Sequence, residues 1–146
     1  MVKLHIERTI SAPQQKVFDW LASPASLAAA PLVLKADWLT GSSAPGVGAV
    51  REVWGTGMWF REEITAYDAP NSYSYLIIRS FPVFDHEGGT MTFTPVGQGT
   101  HVDWVSSYTH PARAGGKPME AISSRLLLWN FGAILARCAK DLEGSA

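Results

Sequence analysis

After residue 116 the apolar residues stop alternating. Leu128, Phe131, Leu135, Cys138 and Leu142 step by three and four, and Leu127 and Ile134 widen the stripe. That spacing gathers them on one side of a helix, expected over residues 118–142. The stretch before it is built almost wholly on period two. A sheet with one apolar face must be covered, and this helix is the one long element left to cover it. The sheet therefore has to curl around the helix.

Residues 2–10 put Val2, Leu4 and Ile6 on one face and Lys3, His5 and Glu7 on the other, the pattern of a half-buried strand. Ser11-Ala12-Pro13 ends it and opens a short helix carrying Val17, Trp20 and Leu21 at i, i+3, i+4. Ser23-Pro24 breaks that helix. Ser23 can cap a second short one through residues 26–30, which Pro31 ends. Strands follow at 33–39, 47–54, 58–67, 72–78, 90–95 and 100–109, parted by a loop at 41–46 and turns at 55–57, 68–71 and 97–99. Residues 81–89 read as a longer connection. Consecutive strands with short turns imply an antiparallel sheet. The expected class is α+β: a curved antiparallel sheet of about seven strands around a long C-terminal helix, with two short helices between the first two strands. The length of 146 residues suits one domain, 1–146.

Composition excludes several functions. The net charge is −1, with Lys and Arg scattered, so neither a nucleic-acid footprint nor a basic membrane patch is expected. The apolar run 126–136 is about half a membrane span and contains Asn130. Residues 1–10 alternate, unlike a signal peptide. A cytoplasmic protein with no integral membrane span is expected. A single cysteine, Cys138, excludes an intramolecular disulfide and lies on the helix stripe, where it reads as a buried thiol. His5, His86, His101 and His110 show no H-x-H or H-E-x-x-H spacing, so no metal is expected, and no cofactor.

The order of elements resembles the helix-grip fold of the SRPBCC/START-like superfamily, and four phrases carry the likeness. Residues 10–18 (ISAPQQKVF) are similar to the family's I-x-A-P-x-x-x-V-F/W entry to the first helix. Residues 46–51 (GVGAVR) resemble its G-x-G-x-x-R phrase, residues 62–70 (EEITAYDAP) its E-x-I/V-x-x-x-D-x-P phrase, and residues 100–104 (THVDW) its T-x-V-x-W last strand. Relatives are polyketide cyclase/dehydrase and lipid-transport proteins. The resemblance implies a carrier or sensor that binds a small hydrophobic or polyketide-like molecule in an internal cavity. The alternative it allows is a cyclase or dehydratase acting by substrate positioning and acid/base help, and a further one is a protein-interaction module, because one fold serves many functions. An interaction module would show a filled core and an exposed apolar patch. Oligomeric state stays open between monomer and homodimer.

Two polar residues stand out. If Thr56-Gly57 is a two-residue turn, Arg51 lies opposite Glu62. Glu62 shares a face with Met58, Phe60 and Ile64, so the pair should point inward and must be mutually satisfied. It could be a structural ion pair, an anchor for a ligand oxygen, or an acid/base site. Trp54, Phe60, Tyr73, Tyr75, Trp104, Tyr108 and Trp129 lie on elements expected to surround the cavity. Core packing and ligand contact both suit them. Asp85 and His86 fall in the 81–89 connection and read as a solvated loop.

Overall fold

A computed structural model describes residues 1–143 apart from 40, 42, 43, 82 and 84. Part of the 41–46 loop therefore lies outside the described residues. Strand β1 (Val2–Ile10) leads into helix α1 (Gln14–Ala22) and a 3-10 helix (Pro24–Ala29). Then come β2 (Val33–Trp38), β3 (Val50–Gly55), β4 (Met58–Asp68), β5 (Ser72–Phe81), β6 (Asp85–Val96) and β7 (Gly99–Thr109). A short 3-10 turn (Ala112–Ala114) precedes the long helix α2 (Gly116–Glu143). The seven strands form one antiparallel sheet in the order β1-β7-β6-β5-β4-β3-β2. It curls around α2, as expected.

Local chemistry sets the boundaries. Pro13 precedes α1 with φ −61, and Val17, Phe18 and Leu21 bury one side of that helix. The Ser23 hydroxyl accepts from the Ala25 N–H at 3.3 Å, starting the 3-10 helix with Pro24 at its head. Gly57, with φ 70, turns the chain between β3 and β4. Gly55 pairs with Met58, and the ladder puts Arg51 directly opposite Glu62.

Helix α2 runs alongside β1. The N-terminal amine of Met1 lies 3.6 Å from Glu120, near the start of α2, and the Ser11 N–H donates to Glu143 at its end. The two halves of α2 differ. Ile134, Leu135, Cys138 and Ala139 are buried in the core with Phe18, Phe93 and Val102. The first half stands off the sheet, and Leu128 is 39% exposed. This corrects the expected stripe. The buried line passes through Asn130 and Ile134 instead of Leu128. Asn130 is tolerated because its amide donates to Leu126 O at 2.6 Å and accepts from the Leu32 N–H at 3.4 Å.

A second correction concerns residues 81–89. Strand β5 runs on to Phe81 and β6 begins at Asp85, so most of that segment is sheet. Among the described residues the two strands pair where Ser72–Tyr75 meets Gly89–Thr92. Beyond Tyr75, β5 stays with β4 while β6 stays with β7, and the sheet splays.

Candidate functional site

The splay, the hairpin and the raised half of α2 enclose a cavity of about 260 Å³. Its walls come from Phe60 and Glu62 on β4, Tyr75 and Ile77 on β5, and Trp104 and Tyr108 on β7. Met119, Leu126 and Phe131 of α2 face them. At the mouth stand three exposed apolar side chains that also line the cavity: Phe81 at 67%, Ile122 at 58% and Leu126 at 42%. Apolar side chains held open to water border a recess able to take an apolar guest.

At the inner end, Trp104 stacks on Phe131 with ring centroids 3.9 Å apart and planes at 12°. The Trp104 indole N–H donates to the Tyr75 hydroxyl at 2.8 Å. Gly89, opposite Tyr75, leaves room for that ring: a Cβ there would lie 2.3 Å from Tyr75 Cζ. Burial, with the charge of Glu62 adding to it, raises the Tyr75 phenol above its usual range and keeps it protonated.

His86 belongs to this wall, half-buried on β6, and is not a solvated loop residue. Its ring stacks on Tyr75 with planes at 15°. The splay deprives the Ile77 N–H of a ladder partner, and His86 Nδ1 accepts from it at 2.9 Å. The remaining ring proton therefore sits on Nε2, which donates to Ser106 Oγ at 2.9 Å. Burial pushes the imidazole down to about 4, so the ring is neutral near pH 7. Nearer the mouth, Ser123 Oγ joins the Tyr108 hydroxyl at 2.7 Å and His110 Nε2 at 3.0 Å, tying α2 to β7.

Arg51 and Glu62 lie deeper. Arg51 is 1% exposed and its Nη2 donates to Glu62 Oε1 at 2.5 Å. Nη1 reaches toward the Leu21 and Ala22 carbonyls at the end of α1, at 3.4 and 3.5 Å, a favourable place for a cation. The guanidinium also lies 5.7 Å from the Tyr73 ring centre. Burial acts to strip its proton, but Glu62 and Tyr73 outweigh that and hold it above its ordinary value. Arg51 and Tyr73 line a separate void of about 10 Å³, which Glu62, Tyr75 and Trp104 share with the main cavity.

Of the nine residues singled out in the sequence, five line the cavity: Phe60, Glu62, Tyr75, Trp104 and Tyr108. Arg51 and Tyr73 sit behind that wall. Trp54 and Trp129 are corrections. Trp54, 49% exposed, alternates out of phase with Arg51 and Val53 and leans on Trp59 on the outer face. Trp129, 55% exposed, is on the solvent side of α2, where the true helix phase puts it. His86, Ser106, His110 and Ser123 were missed as wall residues. Ser106 and His110 continue the inward alternation of Trp104 and Tyr108, which was signal enough to find them.

Residues 1–143 match the family model described as polyketide cyclase / dehydrase and lipid transport. No curated protein matches this chain. Among solved structures, TTHA0849 from Thermus thermophilus superposes with a TM-score of 0.76 at 19% identity, covering 99% of both chains. XoxI from Bacillus cereus gives 0.73 at 17%, covering 97% of this chain and 96% of its own. The Aha1 dimer from Colwellia psychrerythraea gives 0.66 at 16%, covering 98% and 97%. At these identities the likeness is one of fold.

Proposed function

We propose a function that starts from family membership: the chain belongs to the polyketide cyclase/dehydrase and lipid transport family, and it binds one small, mostly apolar molecule in its cavity. The observation that carries this reading is the hollow end of the grip. There an apolar recess of about 260 Å³ is lined by a few polar residues, Glu62, Tyr75, Ser106 and His86, among its apolar ones. A dry cavity of roughly 150 Å³ accepts benzene, so this one suits a guest of about two fused rings or a short branched chain. An oxygen on that guest would meet the polar floor, while its body meets Phe60, Phe131 and Ile134. An interaction module needs a filled core, and this cavity favours a container instead.

Native mass spectrometry of the purified protein tests the reading, together with titration of a neutral naphthalene-type dye. The expected result is one saturable site, lost when Met119→Trp fills the wall. No saturable binding of any apolar probe, or unchanged binding in that variant, overturns it. One observation favours a second reading, a cyclase or dehydratase: two residues with titratable side chains, Glu62 and Tyr75, line the same cavity. With the guest identified, Glu62→Gln separates the two. A catalyst keeps binding and loses turnover; a carrier shows no turnover to lose.

A further inference from the structure

The outer face of the β1–β7 pair presents a second group of residues, remote from the cavity in chemistry and orientation. In the ladder Glu7 lies directly opposite Asp103, and Thr9 opposite His101. His5 is two residues before Glu7, on the same face, while Leu4 and Ile10 point into the core. Like charges opposite one another on adjacent strands destabilise a sheet, and here each carboxylate is turned to an imidazole, Asp103 to His5 and Glu7 to His101. We propose that this face is a binding site for a divalent cation of the zinc type, ligated by His5 Nε2 and the carboxylates of Glu7 and Asp103.

Geometry supports the assignment first. His5 Nε2 is 2.5 Å from Asp103 Oδ1 and 3.9 Å from Glu7 Oε2. The donor atoms of all three residues lie within 4.8 Å of one another. Around a tetrahedral ion with bonds of about 2.0–2.1 Å, neighbouring donors sit about 3.3 Å apart. The two His5 distances fall either side of that value, so small side-chain rotations open the cluster to the right size. Two carboxylates and a neutral imidazole also carry the charge that a divalent ion balances.

The surroundings support it independently. The second oxygen of Glu7 is 2.9 Å from His101 Nε2, and His101 Nδ1 is 2.9 Å from the Thr9 hydroxyl. This chain, Thr9 to His101 to Glu7, fixes the carboxylate from behind, as outer partners fix metal ligands elsewhere. His101 and Thr9 are positioning residues in this scheme. Both strands are locked through their inner faces, and the β1–β7 register runs unbroken over nine pairs, so the ligands ride on a rigid base. An imidazole with two carboxylates prefers zinc-like first-row ions over calcium or magnesium. His5 and Glu7 are about half exposed, at 53% and 51%, which leaves room for water to complete the shell. The site joins residues nearly a hundred positions apart, so motif spacing along the chain could not display it.

Untagged protein stripped with EDTA is titrated with Zn²⁺ by calorimetry and with Co²⁺ by visible absorption. The expected result is one equivalent bound, with Co²⁺ ligand-field bands. His5→Gln and Asp103→Asn each abolish it. Thr9→Val removes no ligand atom yet weakens binding roughly tenfold. Near-UV circular dichroism checks that the variants are folded. Histidine NMR of the unaltered protein needs no variant: Zn²⁺ shifts the His5 ring signals and leaves those of His86 in place. Absence of saturable binding, equal binding by wild type and His5→Gln, equal competition by Mg²⁺, or shifts confined to other histidines overturns the proposal.

Discussion

The two ends of the grip use the same sheet and the same helix, yet one is solid and the other hollow. At the solid end Phe18 of α1 meets Tyr67, Tyr73 and Phe93 edge-on, with centroids 5.4, 5.7 and 5.1 Å away. Leu135 and Cys138 of α2 close the same cluster, and burial pushes the Cys138 thiol up to about 12. At the hollow end no counterpart of α1 lies among the described residues between sheet and helix, and the start of α2 faces the sheet across the cavity. A curled sheet is wider than one helix can fill. What fills it is α1, and α1 reaches one end only. The cavity thus follows from topology, and the side chains around it decide its chemistry.

The largest expected effect tests where the boundary lies. Arg51 sits on the solid side, under the α1 carbonyls, and its partner Glu62 stands at the boundary, in the cavity wall. Arg51→Met leaves a buried carboxylate without its partner and should cost about 3–5 kcal/mol in a denaturant titration. A loss under about 1 kcal/mol would mean that solvent reaches the pair and that the hollow end extends past Glu62 to Arg51. Next comes a matched pair on α2. Leu135→Ala should cost about 2–5 kcal/mol, whereas Leu126→Ala at the mouth should change stability by less than about 0.5 kcal/mol while weakening dye binding. Equal costs would erase the distinction between the ends.

Much of this contrast was legible in the sequence, for physical reasons. A strand's period is two, so a single fixed turn at Gly57 decides every partner in the hairpin, Arg51 and Glu62 included. Helix phase is less forgiving. A stripe drawn through apolar residues alone skipped Asn130, which is buried because Leu126 O and the Leu32 N–H satisfy its amide. That omission set the edge of the stripe at Leu128, whereas Trp129 misled separately, counted for lying on α2 although it falls on the side away from the stripe. Trp54 misled because an aromatic on a strand was given a place in the wall regardless of its parity. The splay between β5 and β6 left no local mark, since it depends on which neighbour each strand keeps, and His86 was therefore read as a solvated loop residue.

A smaller effect probes the splay itself. A Cβ on Gly89 would collide with the Tyr75 ring, so Gly89→Ala must displace that ring and stretch its bond from Trp104. Overpacking of this kind costs about 1–3 kcal/mol. The near-UV dichroism of Trp104 should change with it. Gly89→Ala combined with Tyr75→Ala should cost less than the sum of the two single changes. Additive costs would mean that Tyr75 does not depend on the glycine.

The smallest effect is a dependence on pH, and it tests whether the hollow end is dry at its floor. His86 has a native value near 4, lowered by burial, against an ordinary 6.5. The unfolded chain therefore binds the proton first as pH falls. The contribution of His86 to stability is complete above about 6.5 and is lost as pH drops toward about 4. Protonation would also force Nδ1 to give up the Ile77 N–H, since an imidazolium has no acceptor. His86 is partly open to solvent, so screening reduces the effect to about 1 kcal/mol between roughly pH 7 and pH 5. His86→Gln keeps an acceptor and a donor but does not titrate in this range. Its stability should therefore fall less than that of the wild type over the same interval. Parallel curves for the two proteins would place His86 in water-like surroundings, and the floor of the cavity would then be wet.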